Sequence, residues 1–447
     1  MVAPIVDVSG LSSEHQGPVL TPLDAGYDTA RISFNALIDR HPPVIARAAT
    51  PQDVVASLQF AQSAGLPVAM RGGGHSVAGH SMCDDGLVID LRLLNHASVD
   101  VEGRRVIAGG GATWRDVDTP CVTQGLVMPG GTFDTTGVAG LTLGGGLGHL
   151  MGVHGLTLDH LLSASIVLAD GTVTTASASN DPELFWALRG GGGNFGVVTA
   201  FEFSLDPLPV VFGGEIHYPD THVRQGLRLY RDLVEDAPDE LTMMAYFREG
   251  FLHITVCAIG GNPRSLSAVA ALQSNLPIAR DRLGMTSYLQ IQVMQGDTPF
   301  GIRHYWKSQF TDELSDDLID EVVDHYHARA AGSISSILIE PVHGQVTRVP
   351  LDATAFGRRA PGFNVSVLGH WRDPAGDDAE ISWVRTGAAR VAARNPEGGG
   401  YLNYAAPDEP QERVRAAFGV EKYARLLEVK RRVDPENMFR FNHNIRP

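Results

Sequence analysis

Between two short apolar runs, 66–70 and 86–91, the chain reads Arg71-Gly72-Gly73-Gly74-His75-Ser76-Val77-Ala78-Gly79-His80. Three glycines at the end of a strand let the backbone adopt positive φ angles and turn several N–H groups towards one point. A diphosphate group needs such convergent donors and a close approach without Cβ atoms. We expect His75 at the edge of this concavity. A glycine-rich turn alone is weak evidence of a site, but here a histidine follows the glycines and further glycine-rich segments lie downstream.

The residues before this turn have the pattern of a βαβ unit. Val44–Arg47 predicts a strand, and Thr50-Pro51-Gln52-Asp53 supplies an N-cap, a proline at the first helical position and an acidic first turn. The helix is expected to end at Gly65, before the strand that leads into the glycines. A ligand site is therefore predicted at the carboxyl end of a strand. A further helix is expected near Asp28–Leu37.

Two more glycine-rich segments follow. Residues 127–149 contain too many glycines for a regular helix throughout, but their backbone can run flat along a large planar ligand. Asp170-Gly171 predicts a hairpin. The third segment, Arg189–Gly196, lies between a predicted helix that ends at Leu188 and a predicted strand, Val197–Phe203.

Beyond residue 207, strand-like runs with polar alternation predict an antiparallel sheet with helices on one side. The predicted strands are Val211–Tyr218, Leu241–Phe247, Leu252–Ala258, Ile334–Pro341 and Phe363–His370, with helices near Thr221–Asp236 and Pro263–Ser274. A last helix is expected at Glu421–Val433. His343, Trp306 and Trp371 are candidates to face a pocket, although core packing or ordinary exposure is the expectation for each.

The three glycine-rich segments and the C-terminus resemble the berberine bridge enzyme-like FAD-linked oxidases of the vanillyl-alcohol oxidase superfamily. The resemblance covers about Val44–Leu205 and returns at Tyr401–Pro447. It implies an α+β fold with a two-part, PCMH-type FAD-binding domain in residues 1–205 (core about 40–205). A substrate domain is expected in 206–400, and a segment, 401–447, is expected to return to the FAD-binding domain.

The resemblance implies that His75 carries FAD covalently on its 8α methyl group. Phe133 stands where many relatives have a cysteine, so a single, bacterial-type histidyl link is expected, and Thr136 falls where the family tunes oxygen access. Asn442 and Asn444 are alternative contacts for the isoalloxazine. The full set of further cofactor-binding candidates is Arg71, Gly72, Gly73, Gly74, Ser76, Thr135, Gly137, Gly140, Gly144, Gly145, Gly148, Asn194, Gly196, Val198, Asn403, Asn442 and Asn444.

The reaction implied by this resemblance transfers hydride from a substrate C–H to flavin N5. A tyrosine beside the flavin can take the substrate's proton if its pKa falls from about 10 towards the working pH. Following the family motif, Tyr404 is the first choice and Tyr401 the second. The alternation of 401–404 predicts a strand, with Tyr401 and Asn403 on one face and Tyr404 on the other.

The expected function is an FAD-dependent oxidase acting on an alcohol, a sugar, or an alkaloid or polyketide-type intermediate, with O₂ reoxidising the flavin and yielding H₂O₂. A flavin dehydrogenase and an oxidative cyclase are alternatives that use the same site. A flavin-binding protein with little turnover is a third. A nicotinamide-binding protein is less well supported, because the glycine-rich segments lack the required acidic residue and helix at the right distance.

Composition limits the partners. The net charge of −16 without a basic block predicts no nucleic-acid partner. Cys83, Cys121 and Cys257 are too few and too widely spaced for a disulfide framework or a zinc site, and no other ligand spacing predicts a metal. No membrane-spanning run and no signal-peptide pattern is found, so a cytoplasmic enzyme with a small-molecule substrate is expected, and no prediction of oligomeric state follows.

Overall fold

The structure is a computed structural model that describes residues 6–296 and 300–447. Its first part contains a four-stranded sheet with the spatial order Val19–Leu20, Val44–Arg47, Leu87–Asp90, Val68–Arg71. The last three strands are parallel, which confirms the predicted βαβ unit around the helix Pro51–Ala64. Thr50 Oγ1 accepts a hydrogen bond from Asp53 N over 3.2 Å, and Gly65 ends the helix at a φ of 66°.

A five-stranded antiparallel sheet follows, with the order Ala97–Asp100, Arg105–Gly109, Val197–Ser204, Leu161–Val167, Val173–Ser177. The predicted hairpin at Asp170-Gly171 is confirmed. The hydrophobic core on this five-stranded sheet includes buried side chains of the helices Trp114–Thr123, Pro182–Leu188 and Val420–Val433. Leu426, Val429 and Val433 of the last of these helices thus pack in this core.

An eight-stranded antiparallel sheet occupies residues 211–371. Its spatial order is Arg280–Asp281, Val211–Pro219, Phe251–Ile259, Leu241–Arg248, Ser336–Val342, Gly362–Trp371 and Arg303–Thr311, and Gly284–Thr286 also pairs with Val211–Pro219. Side chains alternate between its faces: Ile337 and Ile339 pack with the helices, whereas Leu338 packs with Leu147 and Tyr401. Helices therefore cover one face, as predicted, and the other face turns towards the glycine-rich segments.

The remaining helices complete the layers. They are Ser9–Glu14, Tyr27–Arg31, Val138–Gly144, Met151–His154, Val223–Glu235, Pro263–Ser274, Tyr288–Val293, Asp316–His327, Gln345–Arg348, Asp377–Arg394 and Gln411–Phe418, with 3₁₀ turns at Thr157–His160, Asp220–His222, Leu351–Ala353, Pro374–Gly376 and Leu402–Tyr404. Among the described residues, no helix has both the length and the apolar character that crossing a membrane requires.

Two local predictions are wrong. The helix near Asp28–Leu37 is only the single turn Tyr27–Arg31, because the chain then extends and Asn35 bridges to Ile302. Residues 401–404 form a 3₁₀ turn rather than a strand, since Tyr404 N donates to Tyr401 O. The strands of the four- and five-stranded sheets end at Ser204. The domain limits at 205/206 and 400/401 stay a prediction.

A buried lysine anchors the C-terminal segment. The Lys430 ammonium donates to Asn194 O at 2.8 Å, to Phe439 O at 2.9 Å and to Asp434 Oδ2 at 2.5 Å. A buried cation is tolerated only when it is paired and hydrogen-bonded, as here. These bonds fix the last helix and the residues after it against the third glycine-rich segment.

Candidate active site

One large cleft lies where the three glycine-rich segments, the C-terminal segment and the eight-stranded sheet meet. Its volume is about 1830 Å³, which includes the solvent at its mouth. Fifteen of the predicted site residues line it: Gly72, Gly73, Gly74, His75, Ser76, Gly137, Gly140, Gly144, Asn194, Gly196, Val198, Tyr401, Asn403, Tyr404 and Asn442. The sequence motifs thus converge on one place.

Five predicted site residues are not in the wall of the cleft: Arg71, Thr135, Gly145, Gly148 and Asn444. The Arg71 guanidinium is buried and donates to Ala30 O at 2.5 Å and to Ile32 O at 2.7 Å, so it braces the strand end from behind. Gly145 faces the rings of Phe356 and Tyr401, and Gly148 packs on the backbone of Gly131.

The first two glycine-rich segments touch backbone to backbone. A Cβ on Gly73 would lie 2.4 Å from Gly137 Cα, and a Cβ on Gly137 would lie 2.5 Å from Gly73 N. No larger residue fits at either position. The floor of the cleft is therefore bare backbone, as close approach of a diphosphate and a flat ring requires.

His75 lies on the wall of this cleft in an aromatic stack. Its ring is 4.4 Å from Phe34 and inclined by 15°, and the other face of Phe34 is stacked on His304 at 4.2 Å. His304 Nδ1 lies 2.8 Å from His370 Nδ1. Burial lowers the pKa of His75 from 6.5 to about 4, so the imidazole is neutral at pH 7 and keeps a nitrogen lone pair.

Tyr404 is hydrogen-bonded to Glu340, a residue that the sequence analysis missed. The Tyr404 hydroxyl donates to Glu340 Oε1 over 3.2 Å, and Asn364 Nδ2 donates to Oε2 over 2.9 Å. Burial raises the pKa of Glu340 to about 7, against the effect of both hydrogen bonds. Burial and the nearby Glu340 hold the pKa of Tyr404 well above its usual range, so Tyr404 is protonated in the free protein.

Tyr401 has different surroundings. Its hydroxyl oxygen accepts from Gly146 N at 2.9 Å, Leu147 N at 3.4 Å and Asn403 Nδ2 at 2.8 Å. Burial raises its pKa to about 12 despite these donors. Among the described residues, no carboxylate is hydrogen-bonded to this hydroxyl, so Tyr401 anchors the second glycine-rich segment, whereas Tyr404 has a carboxyl neighbour.

One wall of the cleft is formed by the eight-stranded sheet. Trp306, Leu338 and Leu368 come from three neighbouring strands and line the cleft beside Tyr404. The expectation of core packing for Trp306 is therefore wrong, because its strand faces the cleft. Trp371 is in the helix-side core, as expected, and His343 does not line the cleft.

Several buried polar atoms in this region have no partner among the residues that the structure describes, among them His75 Nε2, Asn442 Oδ1 and Asn444 Oδ1. Asn442 Nδ2 donates to Gly193 O at 3.0 Å, which orients its side chain. His80 and His443 also line the cleft and meet edge to face at 4.8 Å. Buried polar atoms normally have partners. A glycine floor with such atoms beside apolar walls fits a large ligand that is partly flat and partly polar.

Comparison with known proteins identifies the family. A family model described as "FAD binding domain" matches residues 42–177, and one described as "Berberine and berberine like" matches residues 400–446. (R)-6-hydroxynicotine oxidase of Paenarthrobacter nicotinovorans is 31% identical over 454 residues, which cover 97% of each chain. The chain belongs to the berberine bridge enzyme-like FAD-linked oxidoreductases.

Solved structures of similar proteins share the whole fold. 6-Hydroxy-D-nicotine oxidase from Arthrobacter nicotinovorans superposes with a TM-score of 0.90 at 28% identity, covering 99% of this chain and 100% of that one. Glucooligosaccharide oxidase from Acremonium strictum, described with a 6-S-cysteinyl, 8α-N1-histidyl FAD, has a TM-score of 0.86 at 25% identity and 96% coverage of each chain. This berberine bridge enzyme-like protein is thus an FAD-dependent oxidase acting on a small molecule, with a PCMH-type FAD-binding fold.

Proposed function

We propose that this oxidase converts an alcohol on an apolar ring system to the carbonyl compound, with Tyr404 and Glu340 accepting the hydroxyl proton. The Tyr404–Glu340 hydrogen bond beside the cleft carries this proposal. FAD, when bound, supplies the acceptor for the hydride that leaves the carbinol carbon. The substrate O–H proton passes to the Tyr404 oxygen while the Tyr404 proton passes to Glu340.

Glu340 suits this role because a general base works best with a pKa near the operating pH. A pKa of about 7 leaves a large ionised fraction at neutral pH. Tyr404 alone, with its pKa well above the usual range, would be almost fully protonated and a poor base. The pair therefore combines a hydroxyl that faces the substrate with a carboxylate that receives the proton.

The apolar wall supports a ring-bearing substrate of the alkaloid or polyketide type over a sugar. Trp306, Leu338 and Leu368 offer a large flat surface, and two of these three side chains have no polar atom. Each substrate hydroxyl buried against such a wall without a partner costs about 1–3 kcal/mol. A sugar carries several such hydroxyls, whereas a polycyclic alcohol carries few.

Covalent attachment of FAD through His75 alone is part of the proposal. The neutral, stacked imidazole in the cleft wall supports the histidyl link. Phe133 lines the cleft, whereas Cys83, Cys121 and Cys257, all within the described residues, are buried and unpaired and do not line it. Unpaired cysteines also support a cytoplasmic location.

We also propose O₂ as the electron acceptor, with H₂O₂ as its product. The names of the relatives support this, and the small Thr136 in the cleft wall leaves room beside the cofactor site. The other candidate cofactor contacts are the glycines of the cleft floor together with Ser76, Asn194, Val198, Asn403 and Asn442; Arg71, Thr135, Gly145, Gly148 and Asn444 would act from outside the wall.

A substrate panel tests the proposal. Polycyclic secondary alcohols, simple oligosaccharides and cyclic amines are mixed anaerobically with the purified holoenzyme, and bleaching of the flavin absorbance is followed. We expect bleaching by polycyclic alcohols, with H₂O₂ released when air is admitted. Rapid bleaching by oligosaccharides alone would contradict the substrate class. Bleaching without H₂O₂ on aeration would contradict O₂ as the acceptor.

A further inference from the structure

A buried cluster of ligand-type side chains lies on the same face of the eight-stranded sheet as Glu340. Glu215 and His217 alternate along the strand Val211–Pro219 and therefore share a face, and His253 pairs directly across from His217. All three side chains are buried. A carboxylate oxygen of Glu215 and one nitrogen of each imidazole lie within 4.8 Å of one another.

Two hydrogen bonds orient these groups from outside the cluster. The Tyr246 hydroxyl donates to Glu215 Oε1 at 2.5 Å, and His253 Nε2 lies 3.2 Å from Arg248 O. A carbonyl can only accept, so His253 carries its proton on Nε2 and keeps a lone pair on Nδ1. Metal-bound histidines and carboxylates typically make outer hydrogen bonds of this kind, which fix the tautomer and the ring orientation.

Within the cluster, His217 Nε2 lies 3.2 Å from Glu215 Oε2, and two other imidazole nitrogens have no partner among the described residues. Nδ1 of His217 and Nδ1 of His253 are buried and unpaired. His149, from the second glycine-rich segment, is 2% exposed, has both ring nitrogens unpaired, and lies close enough to Glu215 for the carboxylate to act on its charge. An unsatisfied buried polar atom costs about 1–3 kcal/mol, so several in one place call for a common partner.

We propose that Glu215, His217 and His253, with His149 as the fourth ligand, bind one zinc ion. Nitrogen and oxygen ligands in this number suit tetrahedral Zn²⁺, which holds them at about 2.0–2.2 Å, so that bound ligand atoms lie roughly 3.5 Å apart. The ligand atoms of Glu215, His217 and His253, which lie within 4.8 Å of one another, would draw closer around the ion, and the His149 side chain would move towards them. The site cannot be recognised from ligand spacing in the sequence, because its ligands come from two paired strands and a distant loop.

The site has a structural role rather than a catalytic one. Four protein ligands leave no open position for substrate, which is the arrangement of structural zinc sites. His149 belongs to the segment that forms the floor of the cofactor cleft, whereas the other three ligands belong to the sheet. The ion therefore fastens the floor of the cleft to the substrate-side sheet. This inference is independent of the proposed substrate and of the covalent link.

The test is metal analysis of the full chain, purified without a histidine tag. Elemental mass spectrometry measures zinc per chain in wild type, His253→Asn, Glu215→Gln and the control His96→Asn, whose histidine is exposed. We expect one zinc per chain in wild type and His96→Asn, and less than a tenth of that in the other two. After the zinc is removed with a chelator, wild type and His96→Asn should each bind one equivalent of Co²⁺ and show the strong visible absorption of a tetrahedral site. The other two variants should not.

Two results would overturn the proposal. The first is folded wild type that binds neither zinc nor cobalt stoichiometrically, which would mean that the cluster is held by hydrogen bonds only. The second is full zinc content in both His253→Asn and Glu215→Gln. Folding of each variant is checked by circular dichroism and by the spectrum of its bound flavin. Should a variant not fold, a chelator experiment on wild type and His96→Asn decides the question. We expect EDTA to lower the melting temperature of both, and Zn²⁺ to restore it; no shift contradicts the site.

Discussion

The Tyr404 hydroxyl donates a hydrogen bond to Glu340 Oε1 across 3.2 Å, although the two residues lie 64 positions apart in the sequence. Tyr404 ends a 3₁₀ turn of the C-terminal segment, and Glu340 lies in the middle of a strand of the eight-stranded sheet. Tyr404 alone, with its pKa well above the usual range, would be a poor base at neutral pH. Their contact joins a hydroxyl at the cleft to a carboxyl whose pKa burial raises to about 7.

Replacing Tyr404 by phenylalanine should lower the rate of flavin reduction by about 10²–10⁴-fold, the usual contribution of a general base. The flavin content should stay unchanged. Tyr401→Phe is the matched control, because it removes the partner of Gly146 N–H rather than the proton path. We expect it to lower the melting temperature more than the rate. Stopped-flow absorbance measures both rates, and equal losses in the two variants would argue against a distinct role for Tyr404.

The pH profile should depend on Glu340. In wild type, the rate of flavin reduction should rise as the pH rises through about 7, because the carboxylate must be ionised to accept the proton. Glu340→Gln should be slow at every pH, with no such rise. A wild-type profile that is flat between pH 5 and 9 would remove Glu340 from the mechanism.

Glu340 also affects stability. Its pKa in the folded protein is raised from 4.5 to about 7, so its stabilising contribution is complete below pH 4.5 and is lost as the pH rises through 7. The melting temperature of Glu340→Gln, measured relative to that of wild type, should therefore be higher at pH 8 than at pH 5. Differential scanning fluorimetry at the two pH values gives the comparison.

Covalent attachment should depend on His75 and on the ring stacked against it. In His75→Ala, any bound flavin should stay in the supernatant after acid precipitation, whereas wild type should give a yellow pellet with a flavin-sized mass on the His75 peptide. Phe34→Leu should slow covalent incorporation into apoprotein, because it removes the ring held between His75 and His304. A yellow pellet from His75→Ala would show that the linkage is elsewhere.

Asp118 should make the protein less stable in mild alkali. Its buried carboxyl accepts from Gln292 Nε2 at 2.8 Å, and burial raises its pKa from 3.8 to about 8. The protonated form is favoured on folding, so its contribution falls by up to about 1.4 kcal/mol per pH unit until the pH passes 8. Asp118→Asn should flatten the loss of unfolding free energy between pH 6 and 8, as measured by urea titration. Parallel curves for the two proteins would contradict the buried-acid assignment.

The sequence predicted those features that local chemistry determines. The three glycines before His75 and the capping sequence at Thr50 determine the backbone conformation of only the few residues around them. They were enough to predict the βαβ unit and the glycine-lined floor of the cleft. Glu340 was missed because it stands out only through its hydrogen bonds with Tyr404 and Asn364. Strand pairing brings Asn364 to it, and the packing of the C-terminal segment brings Tyr404. A single acidic residue in the apolar strand 336–342 was the one available signal.

Errors arose where tertiary contacts override local pattern. Residues 401–404 alternate as a strand does, but Tyr401 is held by Gly146 N–H and the chain coils into a 3₁₀ turn around that contact. Trp306 is a large apolar side chain of the kind usually found in a core. It lines the cleft instead, because the helices cover only the opposite face of its sheet. Which face of a strand is buried depends on what packs there, and residues distant in sequence decide it.

The anchoring of the last helix by Lys430 has a consequence for biosynthesis. The first and second glycine-rich segments are synthesised well before Tyr404 and Asn442, which line the same cleft. The bond from Lys430 to Asn194 O holds the C-terminal segment against the third glycine-rich segment. The cofactor can therefore be enclosed only after the C-terminal segment has been synthesised and has packed against the glycine-rich segments, so a chain truncated before residue 404 should not retain it.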